Sequence, residues 1–366
     1  MKQELDDLFS PDYATARGRF RSAARAAGAT LEALTLDARG PGGEELTIDI
    51  ARLGAHGARR VLLHTCGIHG VEAFAGSAVQ LAALADPPAR PDGCALVLVH
   101  VLNPYGLAWL RRANESNVDL NRNFPMPGGR REGASALYAR LDPLLNPPAA
   151  PGREWYRWRL AAAVLRHGLP ALTQAIAEGQ YEFPRGLFFG GRELERGPAL
   201  YLDWLRNNLS HVRYLFALDL HTGLGRRGEE MVILEVGVGA TPVAELERVF
   251  NRRFLDPATE RATYRIRGSM GGALPQVLPG ARIDFVLQEI GTHHPIAVLH
   301  ALREENRWHH HGPASGAHPA KRALRDALSP PSPEWRQQAL ERGLGLLRDA
   351  AAWTFHKALA QRLDRL

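Results

Sequence analysis

Chemistry in this chain of 366 residues would start at Gly67-Ile68-His69-Gly70-Val71-Glu72, where an imidazole and a carboxylate stand three residues apart. A metal ion that activates water needs about three nitrogen or oxygen ligands and one open position, and two ligands on a single turn hold each other in orientation. Standing alone, a His-x-x-Glu pair reads as a solvated helix face. Gly67, Gly70 and Gly76 suit a tight turn and close backbone approach instead. A third ligand is offered by His221 in Leu218-Asp219-Leu220-His221-Thr222-Gly223, at the end of an apolar run and just before a glycine-rich loop. By itself it would be a core histidine closing a strand; with His69 and Glu72 it completes a His2Glu set. Glu289, in Gln288-Glu289-Ile290-Gly291-Thr292, ends another apolar run, where a carboxylate can serve as general base toward activated water. Asn103-Pro104-Tyr105-Gly106, Arg111-Arg112-Ala113-Asn114 and Asn117 to Phe124 gather guanidinium and amide donors. A substrate carboxylate or a developing oxyanion requires such donors.

These side chains need elements that deliver them to one place. Arg60 to Cys66 and Cys94 to Val101 are short apolar runs, the second continuous enough for a strand buried on both faces, with helical spacing from Val71 to Leu84 between them. Strands resume at Leu215–Leu220, Met231–Val236 and Ile283–Gln288. This alternation predicts an α/β protein with a mostly parallel sheet and helices on its faces, whose ligand sites lie at the carboxyl ends of the strands. Before it, a helix over 11–28 precedes a hairpin from Leu31–Leu36 and Leu46–Ile50 around Gly40-Pro41-Gly42-Gly43. The proline-rich stretch 125–198 breaks the rhythm and reads as a helical insertion, helical over 159–178 and packed by Trp155, Tyr156 and Trp158. A helix from Pro295 to about His309 and a last helix over 333–362 close the chain. The organisation expected is one domain over 1–366, with a core at about 55–300, an N-terminal helix and hairpin at 1–54, and a C-terminal helical extension at 300–366.

Composition narrows the possible roles. The net charge of +6 comes from 45 basic against 39 acidic residues; only Lys2, Lys321 and Lys357 are lysine, and the arginines are scattered among acids in runs no longer than pairs. A nucleic-acid binder concentrates its charge, so none is expected here. The start lacks a basic head and apolar stretch, and no window is long and apolar enough to span a bilayer, which predicts a cytoplasmic protein without a membrane partner. Two cysteines that form no CxxC pair fit a reducing compartment, with Cys66 a buried structural thiol rather than a ligand. His309-His310-His311 reads as a solvated helix end whose charge suits the dipole, and His293-His294 as pocket-lining candidates.

Taken in order, GIHGVE, NPYG, RAN, NVDLNRNF, DLHTG and QEIGT resemble the zinc carboxypeptidase superfamily, with the closest likeness to its bacterial DUF2817-type branch, over about residues 60 to 295. The resemblance implies a three-layer α/β/α sandwich around a mixed, mainly parallel eight-stranded sheet, with one zinc ion per chain. It implies His69, Glu72 and His221 as zinc ligands, Glu289 as the catalytic carboxylate, and Arg112 as the group that polarises the scissile carbonyl. Arg111 is a one-residue alternative; Arg112 keeps the family's Arg-x-Asn spacing. Asn121 and Arg122 resemble the pair that grips a free carboxylate, and Asp119 the acid that hydrogen-bonds the ring of His69. The family's mobile tyrosine has no clear counterpart, Tyr264 and Arg267 being the candidates for its substrate contact. The activity implied is hydrolysis of an amide next to a free carboxylate, in a peptide by a metallocarboxypeptidase. The aspartoacylase and desuccinylase branch shares GxHGxE, DLNR and DLH, and implies deacylation of N-acyl amino acids instead. A catalytically silent zinc- or peptide-binding module is the third reading.

Overall fold

Successive side chains on a strand point to opposite faces, and in Arg60–Cys66 both sets bring apolar side chains: Leu62 and Cys66 enter one core while Val61 and Leu63 enter another. Such a strand is stable only with a helical layer on each side of it. The computed structural model describes residues 5, 7–126, 128–152, 154–235, 241–256, 265–313 and 318–356, and there that arrangement is found. Its strands are β1 (Thr30–Arg39), β2 (Glu45–Gly54), β3 (Arg60–Cys66), β4 (Cys94–His100), β5 (Tyr214–Gly223), β6 (Glu230–Leu234), β7 (Phe254–Leu255) and β8 (Arg282–Gly291). They form one eight-stranded sheet in the order β1-β2-β4-β3-β5-β8-β6-β7. The central strands β4, β3, β5 and β8 run parallel, β1, β2 and β6 enter through antiparallel pairings, and β7 lies parallel to β6. This is the mixed, mainly parallel α/β/α sandwich that the sequence predicts.

From β3 the chain crosses to β4 on one side and later returns to β5 on the other. The carboxyl ends of β3 and β5 therefore flank the point where the winding reverses, the crevice in which open α/β sheets bind ligands. One helical layer holds Tyr13–Ala26, Ala73–Ala85 and Pro333–Phe355; the opposite layer holds Arg196–Leu209 and Met270–Val277.

Several expectations change in detail. The N-terminal hairpin forms one edge of the sheet, because β2 pairs with β4 from Asp49↔His100 to Gly54↔Ala95. The helix expected over 159–178 is two, Tyr156–His167 and Leu169–Ala177, broken at Gly168 with φ +78° and followed by Pro170, whose ring and missing N–H cannot continue a helix. These two close with Ala136–Leu145 around a small core of Tyr138, Leu145, Tyr156 and Leu172. Of the three aromatics expected to pack the insertion, only Tyr156 does so, stacked on His300; Trp155 and Trp158 are 76% and 73% exposed. The helix from Pro295 runs on to His311, the last helix is Pro333–Phe355, and Val236 and 357–362 lie outside the described residues.

Candidate metal centre

At the end of β3, Gly67 takes φ +71°, a turn that a side chain would strain. The chain then enters the short 3-10 helix Gly70–Glu72, which leads directly into Ala73–Ala85. Gly70 is needed for space: a Cβ there would sit 2.1 Å from the carbonyl carbon of Gly106. That neighbour belongs to the helix Pro104–Ala108, started by Asn103 accepting from the Gly106 N–H at 2.8 Å, with proline in the first turn. Asn103 Nδ2 also donates to the Arg112 carbonyl at 3.1 Å, and the Val71 N–H to the Arg111 carbonyl at 2.9 Å. Thus the sequence NPYG fastens the two arginines against the turn that carries His69 and Glu72.

His69, Glu72 and His221 meet there, all buried, with one potential ligand atom from each lying within 4.8 Å of the others. His69 Nδ1 is 3.2 Å from Glu72 Oε1, yet has no hydrogen-bond partner despite its burial. An orphaned imidazole nitrogen aimed at a carboxylate is a vacancy in hydrogen bonding that a cation would satisfy. On its far side, His69 Nε2 lies 3.0 Å from Asp119 Oδ1. His221 Nδ1 lies 3.5 Å from Glu72 Oε2, and its Nε2 lies 2.6 Å from Asp219 Oδ2. Asp219 was not among the residues singled out by sequence. It stands two positions before His221 on β5, a spacing that puts both on one face, and Thr65 Oγ1 donates to it at 2.6 Å. Each imidazole so has an acid behind it, the arrangement that fixes a ligand's tautomer and ring angle.

The charges support the same reading. Burial would raise the Glu72 pKa, but His69 and Arg112 outweigh it and hold the carboxyl below its usual range. Asp119 is likewise driven well below it by Arg112, His69 and Arg122 against the effect of burial. Burial disfavours charge on His221, and Asp219 nonetheless raises it well above the imidazole range. Glu289 is paired with His221 across β5 and β8 and behaves differently: burial pushes it up to about 7, near the value suited to a base at neutral pH.

Arg112 lies over this cluster. Its Nη1 donates to Glu72 Oε1 at 2.7 Å, its Nε to Asp119 Oδ2 at 3.1 Å, and its Nη2 is 2.7 Å from His69 Nε2. Arg111 points elsewhere, buried on Glu305, Asn117 and Asn306, which leaves Arg112 as the arginine at the site. Asn121 and Arg122 are close by but turned inward. Asn121 Oδ1 accepts from the Met270 N–H, and the Arg122 guanidinium donates to the carbonyls of Ala177 and Asn121. Arg267 donates to the carbonyls of Arg130 and Glu132, and Tyr264 lies outside the described residues.

In front of the cluster is a cavity of about 140 Å³, onto which Glu72, Arg112 and Glu289 open. Neither Asn121 nor Arg122 lines it; Phe188 does, its ring 5.2 Å from the Arg112 guanidinium and 5.8 Å from that of Arg122. His293 and His294 do not line it either, since His294 caps the helix Pro295–His311 and His293 faces Arg227. At the other end of that helix, burial with help from Arg111 lowers His309 to about 2 and His310 to about 4. The two are therefore neutral, half-buried side chains and not the charged, solvated helix end that the sequence predicts. Cys66 is a buried free thiol packed against Gly76, consistent with a structural role.

Solved structures similar to this chain include a carboxypeptidase A from Helicoverpa armigera, 14% identical, with 93% of this chain and 73% of that one covered and a TM-score of 0.49. They also include the murein-tripeptide amidase MpaA from Escherichia coli O157 (17%; 76% and 92%; 0.40) and a succinylglutamate desuccinylase from Chromobacterium violaceum (16%; 88% and 75%; 0.37). At these values the likenesses bear on neither substrate nor activity. No curated protein matches. The family model DUF2817, described as a protein of unknown function, matches residues 9–342, well beyond the stretch that carries the motifs, and the chain belongs to that family.

Proposed function

We propose that the protein is a zinc-dependent hydrolase of an amide bond next to a free carboxylate, with one ion held by His69, Glu72 and His221. The observation that carries this reading is the orphaned Nδ1 of His69 within a buried His2Glu set, beside a cavity that Glu72 and Glu289 line. A zinc ion bound there would lower the pKa of a water molecule toward ~7 and polarise the substrate carbonyl. Glu289 accepts the proton of the attacking water and returns it to the leaving amine. Arg112 donates to the oxyanion that develops on the substrate. A ligand role for His69 Nδ1 puts the ring proton on Nε2, which then donates to Asp119. Nε2 then no longer accepts from Arg112.

The resemblance favours a metallocarboxypeptidase, with Asn121 and Arg122 gripping the terminal carboxylate and Tyr264 reaching the substrate. One observation favours the deacylase reading instead: the described wall of the cavity is mainly apolar, which suits an acyl group, and Arg122, committed to backbone carbonyls, does not line it. Elemental analysis of wild type and His221→Ala, purified alike without added metal, tests the common core of both. Near one zinc per chain, lost in the variant, is expected; a wild type that takes up no zinc even when it is supplied rejects the proposal. A peptide panel assayed beside N-acyl amino acids then separates the two substrates.

A further inference from the structure

We infer that the cavity in front of Glu72, Arg112 and Glu289 is a pocket for a medium-length aliphatic acyl chain, which makes the substrates N-acyl amino acids of amphiphilic character. The inference rests on the amide-hydrolase reading above and adds the part of the substrate that this reading leaves open.

Beyond the three charged groups, the described side chains on the wall are apolar except Thr173 and Thr222. Leu160, Val164, Leu172 and Ile176 come from the two insertion helices, and Ile296 and Leu299 from the helix Pro295–His311. A peptide running through this space would bring an N–H and a C=O with every residue. Leaving such groups without partners in an apolar pocket is unfavourable, whereas an alkyl chain has none to leave. Among the described residues the wall also lacks the cation that a terminal carboxylate would need at the far end, because Arg122 is not on it. Among the described lining residues only Arg112, at the reacting end, carries positive charge. The carboxylate of the substrate therefore stays on the metal side, and the apolar part points away from it. An apolar cavity of about 150 Å³ holds a six-carbon ring, so the 140 Å³ here fits a chain of about six carbons. Leu169 and Ile296, both lining residues, are 38% and 36% exposed, so the mouth is apolar too and a longer chain can extend through it.

The test uses the zinc-loaded full chain and a series of N-acyl-L-alanines from acetyl to decanoyl, together with calorimetric titration of sodium octanoate. The ratio kcat/KM is expected to rise about three- to fourfold per methylene up to about the hexanoyl member and then to level. Val164→Trp, which fills the cavity from a half-buried position, should lower the octanoyl-to-acetyl ratio at least tenfold and weaken octanoate binding. Leu169→Glu, a substitution at the exposed rim that does not threaten folding, should reduce the same ratio. Turnover without chain-length dependence, a ratio unmoved in both variants, or a preference for peptides overturns the pocket while leaving amide hydrolysis standing. Octanoate binding that Val164→Trp weakens, with no amide cleaved, upholds the pocket and rejects the hydrolase. Absence of both binding and turnover rejects both.

Discussion

Arg112 shows how much one side chain carries at this centre. Its three donor nitrogens lie against Glu72, Asp119 and His69, all of them buried, so it balances the carboxylates that would otherwise repel each other. If it also donates to the developing oxyanion, Arg112→Ala should lower kcat by roughly 10²-fold or more. A KM change with kcat intact would instead make it a binding group. The assay should be paired with zinc analysis, since loss of this guanidinium leaves Glu72 and Asp119 less compensated and should tighten, not weaken, cation binding. Asp219 illustrates the reverse case, a residue whose role follows only from its neighbour: its importance comes from the 2.6 Å contact to His221.

At the scale of elements, the centre depends on two tight turns packed against each other. The turn Gly70–Glu72 fits beneath the helix Pro104–Ala108 only because neither Gly70 nor Gly106 has a Cβ; one added at Gly106 would be 2.9 Å from the Gly70 Cα. Gly70→Ala forces backbone against backbone, where no side chain can yield. It should cost about 1–3 kcal/mol or more, as overpacking does. Because Glu72 lies two residues further along, the same substitution should weaken zinc affinity. Urea melts and competitive zinc titration measure the two effects, and unchanged values in both would show that the turns can part without consequence. The C-terminal helix Pro333–Phe355 is similarly structural: Trp335 is fully buried and its Nε1 donates to the Gly291 carbonyl at 2.8 Å, fastening the end of β8 just beyond Glu289.

Over the whole molecule, two apolar layers enclose the sheet, and polar groups within them set its response to acid. His64 and His100 are fully buried, on Gln80 and Ser77, and burial lowers them from the ordinary 6.5 to about 4 and about 3. Between those values and 6.5 the unfolded chain binds protons that the folded one cannot, so stability is greatest above pH 6.5 and falls as the pH drops. The loss should reach about 2 kcal/mol per histidine at pH 5, a large share of the 5–15 kcal/mol typical of a domain. Glu289 titrates in the opposite sense: raised to about 7, it takes up its proton more readily when folded and offsets part of the loss. The difference between wild type and His100→Gln in urea stability at pH 7 and pH 5 isolates the histidine; equal acid losses in the two would exclude it as a source. Among the described residues, no helix is long and apolar enough to cross a membrane.

The sequence by itself determined the pieces. His69 and Glu72 on one turn, glycines where backbones must touch, and apolar runs ending at His221 and Glu289 are local patterns, written within a few residues of each other. It also determined the alternation that yields a parallel sheet with helices on both faces. What only the tertiary structure decided are the relations between distant segments. Arg111 and Arg112 have the same chemistry and adjacent positions, yet one is buried on Glu305 and the other lies on Glu72. Arg122 has the spacing of a substrate group but is held by the carbonyl of Ala177, 55 positions further along the chain. The apolar cavity has no signature of its own, since its wall is assembled from insertion helices and from Pro295–His311, segments whose residues read as ordinary helix cores until folding places them around one opening.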